Sequence, residues 1–422
     1  MVGLGIALVV VGLLLLVIEA HLPTAGVLGS LGAAGLVVGV VLAALGTGAS
    51  PLLLVPVAAL TGIASLWLGL VAASPWTMRP RRLIPAAFAG ALGLGALAGC
   101  GGGHANAVAT NAGVVAHWRQ ALHVTQVVDV TAQRADGPLV VAANGRLDLL
   151  RPGARPQPFA RGRGGYQTRR GPEPYIALSP GNAVPGAGCR FPRDGVYALE
   201  PQGRPGVIAV NAAGHARRLV DLPGAGLLSG IAFDATGRFG HRLLVTAVKS
   251  GRTTVFAVDC RGRASTITRA APVVEGGIVV APRSFGPFAG QLIAPDERSG
   301  RILAIAPSGR ASLVANSGIP RGADVGVESA GFVPPRFGLG WSAYLADRVS
   351  PGNPHPGDDA ILALPGRSLL RAGVRPGDLL VASEGGAQTV AVRCGTTCSV
   401  THFADGPAVA HAEGHISFAR VR

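Results

Sequence analysis

The chain has 422 residues, 49% of them hydrophobic, and a formal charge of +15. It is too long and too apolar for one ordinary globular domain, which calls for a search for membrane spans. The charge does not indicate nucleic acid. Lys249 is the only lysine, the arginines are scattered, and no basic helix or aromatic-interleaved basic stripe occurs, whereas phosphate backbones are met by clustered cations.

The apolar residues are concentrated at the start. Residues 1 to 100 contain only Glu19, Arg79, Arg81 and Arg82 as charged side chains. Stretches 4–20, 27–46 and 52–73 are each apolar over about the 20 residues that a helix needs to cross a hydrocarbon core, so three transmembrane helices are expected. Gly32, Ala33, Ala34, Gly35 and Gly39 would let neighbouring helices approach closely. Buried soluble helices are the alternative, and the near absence of charge argues against it.

Residues 78–100 have the order of a secretory signal. Met78-Arg-Pro-Arg-Arg is followed by an apolar run from Leu83 to Leu97, then Leu97-Ala98-Gly99-Cys100 and three glycines. Leu-Ala-Gly-Cys resembles the lipobox of bacterial lipoproteins, and the resemblance implies that Cys100 is diacylated and becomes a new N-terminus. A fourth transmembrane helix is the competing reading. Both readings keep Arg79, Arg81 and Arg82 in the cytoplasm and place everything after residue 100 outside. The expected location is therefore the bacterial cell membrane, multi-pass or lipid-anchored, with an extracytoplasmic C-terminal domain. Met78 also allows a start of its own, which would make residues 1–77 a separate upstream frame.

Glu19, Pro23, Gly26, Gly29 and Gly32, within the stretch Glu-Ala-His-Leu-Pro-Thr-Ala-Gly-Val-Leu-Gly-Ser-Leu-Gly, resemble the NfeD family of membrane proteins. The likeness covers residues 1–77 and implies a membrane-scaffold role with a stomatin-like partner. That family's helices usually precede a small OB-fold, and no candidate for one follows here. Glu19 sits at a span's end, where a carboxylate reaches the headgroup region at little cost or contacts a partner helix.

Residues 101–136 read as a linker. From 137 to 422 short β-type runs alternate with turn residues, which argues an all-β domain. A repeat is visible within it. Gly206-Val-Ile-Ala-Val-Asn-Ala-Ala-Gly, Thr254-Val-Phe-Ala-Val-Asp-Cys-Arg-Gly and Arg301-Ile-Leu-Ala-Ile-Ala-Pro-Ser-Gly place Ala209, Ala257 and Ala304 at 48- and 47-residue intervals. Such a period is that of a propeller blade. Weaker copies begin at Gly145, Ala360 and Gln388, so the expected fold is N-terminal transmembrane helices followed by a six-bladed β-propeller, with a pair of β-sandwiches as the alternative. The repeat shape resembles the NHL and gluconolactonase-like propellers.

Propeller ligands sit on the central axis, where the innermost strands begin. Glu275-Gly-Gly-Ile, Glu328-Ser-Ala-Gly and Glu413-Gly-His-Ile follow one scheme there, and Ser229-Gly-Ile-Ala occupies the same place without an acid. Carboxylates converging on one axis suit a hard cation such as calcium. In the gluconolactonase-like enzymes a pore metal with acidic ligands serves lactone hydrolysis, so the resemblance makes Glu275, Glu328 and Glu413 the candidate metal ligands; capping of strand ends by these acids, or their pairing with nearby arginines, is the alternative. No nucleophile elbow, phosphate loop or His-Glu zinc motif occurs, so an enzyme is not indicated. Asp358-Asp359 reads as a solvated loop.

Four cysteines follow Cys100, an even number that fits an oxidising exterior. Cys394 and Cys398 enclose Gly-Thr-Thr and are expected to close a turn as a disulfide, which leaves Cys189 with Cys260. A zinc half-site is the competing reading of Cys394 and Cys398, but nothing is spaced to complete it. The functional expectation is a membrane-anchored propeller that binds a small molecule, glycan or protein partner. A metal-dependent lactonase, other hydrolase or sugar dehydrogenase using the same channel, and an NfeD-like scaffold with an appended propeller, are the alternatives.

Overall fold

The computed structural model describes residues 115–168 and 173–421. The expected spans, the signal-like segment and Cys100 lie outside these residues. Among the described ones, no helix is long and apolar enough to cross a membrane.

Strands begin earlier than the expected boundary at residue 137. β1 (Ala116–His117), β2 (Arg119–His123) and β3 (Val127–Val130) occupy part of the segment read as a linker. Their runs are too short to show a period, and what fixes them is pairing with strands far along the chain. Four sheets then follow, each of four antiparallel strands. The first is β3 with β4 (Leu139–Ala143), β5 (Arg146–Leu150) and β6 (Gln157–Phe159). The second starts with β7 (Ile176–Leu178), detours through a hairpin of β8 (Ala183–Val184) and β9 (Cys189–Arg190), and continues with β10 (Val196–Glu200), β11 (Gly206–Val210) and β12 (Ala216–Asp221). The third is β13 (Leu227–Phe233), β14 (Leu243–Lys249), β15 (Arg252–Val258) and β16 (Ala264–Ala271). The fourth is β17 (Val279–Val280), β18 (Leu292–Asp296), β19 (Arg301–Ile305) and β20 (Ala311–Asn316).

The remaining strands are β21 (Val327–Phe332), β22 (Trp341–Asp347), β23 (Ala360–Pro365), β24 (Leu379–Ser383), β25 (Thr389–Cys394), β26 (Cys398–Asp405) and β27 (Ala412–Arg420). With β1 and β2 they form one nine-stranded sheet in the order β1-β26-β25-β24-β21-β27-β22-β23-β2. A single parallel bridge, Ala330 to His415, joins β21 to β27 in its middle. The two halves are interleaved in sequence, because the chain leaves β21 for β22 and β23 on the other side before returning to β24.

The domain is a propeller-like arrangement of four blades, with the nine-stranded sheet between the fourth and the first, and not two facing sandwiches. Its period-2 strands bury both faces. Leu243 packs in the core between the second and third sheets, while its neighbour Leu244 packs between the third and fourth. Each such leucine contributes roughly 1.5–3 kcal/mol by leaving water. Val140 and Ile176 share a core between the first and second sheets. The fourth sheet meets the nine-stranded one through Ile293 and Val381, and the first meets it through Val141 and Ile361. Within the nine-stranded sheet, Leu345 and Leu362 of one half pack on Leu380 and Phe403 of the other.

The sequence repeat falls on one structural place. Ala209, Ala257 and Ala304 lie in β11, β15 and β19, the third strands of their sheets, and the weaker copy at Gly145 leads into β5. The copies at Ala360 and Gln388 are β23 and β25, third when counted from β27 and β21. In two of the three copies a side chain supports the turn after the strand: Asn211 accepts the backbone N–H groups of Ala213 and His215, and Asp259 those of Arg261 and Arg263, with Gly262 at φ +83, where a side chain is strained.

Both expected disulfides are present. Cys394–Cys398 closes the β25–β26 hairpin, and Cys189–Cys260 ties the β8–β9 hairpin to the β15–β16 turn across 71 residues. Removing the second bridge with Cys189→Ala and Cys260→Ala is expected to lower stability by about 2–5 kcal/mol in chemical unfolding, since it closes a long loop in the unfolded chain.

Candidate axial site

The strands nearest the axis are β3, β7, β13, β17, β21 and β27, and all run the same way. Five of them run from a polar residue toward apolar ones: Tyr175 to Leu178, Ser229 to Phe233, Glu275 to Val280, Glu328 to Phe332 and Glu413 to Phe418. The axis therefore has an acidic end and an apolar end.

Between them lies a buried charged pair, Asp129 and His415. His415 Nδ1 is 2.9 Å from Asp129 Oδ2, and Nε2 is 3.1 Å from the Ile231 carbonyl and 3.2 Å from the Ile278 carbonyl. With both ring nitrogens facing acceptors, the surroundings favour the doubly protonated imidazolium. Burial would lower its pKa, but the Asp129 charge and the three acceptors raise it. Asp129 also accepts the backbone N–H groups of Val130, Ile176 and His415, each at 2.8 Å. One ion pair thus ties β3, β7, β13 and β27 to the residue before β17, while the Ala330 bridge adds β21. Gly414 precedes the histidine because its φ is +69 and a Cβ there would run into the Asp129 carboxylate.

At the acidic end, Glu328 and Glu413 are buried and share Tyr175, whose hydroxyl oxygen is 2.6 Å from Glu328 Oε1 and 2.7 Å from Glu413 Oε2. A phenol has one proton to give, so one of these contacts needs a proton on the carboxyl. Burial, reinforced by the Glu413 charge, raises Glu328 well above the usual carboxylate range. Tyr175 donates to one of the two carboxyls, and Glu328, whose pKa is raised, is the one favoured to carry the further proton. Burial opposes ionisation of Glu413 too, but His411 and Arg348 overcome it and lower its pKa.

Those two cations organise the rest. Arg348 Nη1 lies 2.5 Å from Glu173 Oε1 and 3.1 Å from Glu413 Oε1. His411 Nε2 lies 2.9 Å from Glu384 Oε1 and 3.3 Å from Glu413 Oε1. Although burial pulls His411 down, these carboxylates push its pKa up to about 10. The Glu413 charge and burial raise Glu173 to about 7, burial and then Glu413 raise Glu275 to about 7, and burial and then Glu384 raise Glu297 to about 9. His411 Nδ1 and Asp347 Oδ2 are buried without a hydrogen-bond partner among the described residues.

Six carboxyls, Glu173, Glu275, Glu297, Glu328, Glu384 and Glu413, thus face Arg348, His411 and, at the exposed rim, Arg298. Among the described residues, two donor sets have ligand atoms within 4.8 Å of one another: Glu173, Glu328 and Glu413, and Glu384, His411 and Glu413. Of the residues expected from sequence, Glu328 and Glu413 come together, while Glu275 stands beside them, half-buried and outside both sets. Glu173, Glu384, His411 and Arg348 were not among the expected residues. Glu384-Gly-Gly repeats the Glu275-Gly-Gly scheme and was the one signal available. Of the pair read as a solvated loop, Asp358 is exposed but Asp359 is buried and accepts the Val349 N–H.

The fold and site define an all-β, propeller-like protein with an acid-lined axial end. No family model matches the chain, and no curated protein matches it. Among solved structures it is similar to a virginiamycin B lyase from Staphylococcus aureus (10% identity, TM-score 0.38, 67% of this chain and 87% of that one). It is also similar to a gluconolactonase from Xanthomonas campestris (12%, 0.34, 56% and 70%) and to a protein from Lactobacillus plantarum (12%, 0.39, 74% and 91%). At likeness of this order the fold rests on the strand pairing above.

Proposed function

We propose that this chain is a membrane-tethered bacterial envelope protein whose extracytoplasmic six-bladed propeller binds a hard divalent cation of the calcium type at its acidic end, and with it a polar, hydroxyl-rich molecule such as a glycan. The nine-stranded sheet would supply the fifth and sixth blades, its halves meeting face to face as neighbouring blades do. The tether rests on the apolar spans and the signal-like segment ending at Cys100. Two disulfides agree with an oxidising compartment.

The observation that carries the reading is that, among the described residues, six buried or half-buried carboxyls converge on Arg348, His411 and the rim Arg298. Buried carboxylates repel one another and shed charge by taking up protons, unless a cation balances them. The donors fit a hard cation: Glu173, Glu328 and Glu413 offer only oxygens, with the Tyr175 hydroxyl between two of them. When bound, such an ion would hold and polarise oxygen atoms of a ligand. Arg348 and His411 keep Glu413 ionised and ready, while Glu173 and Glu275, half-exposed at the mouth, would face the ligand.

A second reading, a hydrolase, is favoured by the same two mouth carboxyls. Their pKa of about 7 suits a group that gives and takes protons near neutrality. The scaffold reading depends on residues 1–77, outside the described residues.

The test is thermal unfolding of the full chain with calcium or with a chelator. A ligand at 100 times its Kd stabilises by about 2.7 kcal/mol, which would shift the transition upward by several degrees. A midpoint that millimolar calcium leaves unmoved would count against the reading.

A further inference from the structure

The end of the axis away from the acids is a blind apolar cup, and it is chemically unrelated to them. The innermost strands finish there in Leu178, Phe233, Val280, Phe332 and Phe418, around a cavity of about 300 Å³. That volume is at the lower end of the range for small-molecule sites. Its floor is the His415 ring, held by Asp129 and two carbonyls, so the cup does not continue into the acidic end.

We propose that this cup is a second, independent binding site, for a compact, uncharged, apolar molecule of the size of a fused-ring aromatic. The wall's polar side chains are already satisfied. Ser417 Oγ donates to the Val130 carbonyl, Thr131 Oγ1 to the Ala132 carbonyl, and both His415 nitrogens are paired. An ionic ligand would lose its water there and meet no unpaired charged side chain on the wall. An apolar one loses nothing and covers Phe233 and Phe332, which stand half-exposed on the wall. The closed floor limits the occupant to a small molecule, since an extended chain would need a passage through the axis.

The probe is indole, neutral and bicyclic, observed by saturation-transfer NMR with the full chain in lipid nanodiscs and empty nanodiscs subtracted. Ala132 and Ala235 are exposed residues on the cup's rim, so Ala132→Trp with Ala235→Trp should narrow the mouth without disturbing a core. Phe332→Ala provides a second variant that removes part of the wall. Expected are saturable binding of one indole per chain, at least tenfold weakening in the rim variant and several-fold weakening in Phe332→Ala. No saturable binding above empty nanodiscs, or affinity unchanged in both cup variants, would overturn the proposal.

Discussion

Asp129→Asn is expected to lower the unfolding free energy by about 3–5 kcal/mol, the cost of breaking one side of a buried charge pair. The carboxylate is fully buried and accepts three backbone N–H groups besides the His415 ring. An asparagine amide has the same shape but turns one acceptor into a donor, which must then face an N–H or the imidazolium. It also removes the counter-ion that holds the charge on His415, so that burial pushes the ring toward its neutral form, in which one nitrogen faces an acceptor without a proton. Because those contacts join strands from the two ends of the described chain, the loss should appear in the global transition rather than as local fraying. Its pH dependence has a definite sign. The folded pKa of His415 is raised above the ordinary 6.5, so the pair's contribution is complete below about 6.5 and falls as pH rises through the folded value. Chemical unfolding of both proteins across pH checks this: the gap between them should narrow toward alkaline pH. A gap below about 1 kcal/mol at pH 6 would mean that the axis is held by packing alone.

The second large effect is expected at Glu413. It is the one carboxylate common to both donor sets and the partner of Tyr175, Arg348 and His411. Glu413→Gln keeps the volume but removes the charge that those three groups stabilise, and cation affinity should fall at least about 100-fold. In the parent chain the affinity should rise with pH through neutrality, because an incoming cation must displace protons from Glu328 and Glu173, both raised. Without a cation the same raised carboxyls make stability fall as pH climbs from about 4.5 toward 7 for Glu173 and Glu275, since the folded state then holds more protons than the unfolded one.

How far the sequence shows this structure depends on how local each feature is. The third strand of each sheet is legible because its apolar run and glycine turn recur within one hairpin. The spacing becomes irregular at Ala360 and Gln388 because β22 and β23 are inserted between β21 and β24, a swap that no single repeat reveals. Glu328 and Glu413 are legible as strand-start acids, and the disulfides follow from counting cysteines outside Cys100. His411 and Arg348 are not legible. His411 reaches the site by a bridge to Gly385, and Arg348 by following β22, so both depend on the interleaving. Asp129 was hidden in a short run assigned to a linker. Glu384 shared the Glu-Gly-Gly scheme but follows β24 instead of opening an innermost strand.

The most direct measurement is a calorimetric titration of calcium into the full chain and into its Glu413→Gln variant at pH 8. The account predicts one ion per chain in the parent and at least about 100-fold weaker binding in the variant. No binding by the parent at millimolar calcium, or equal binding by both, would contradict it.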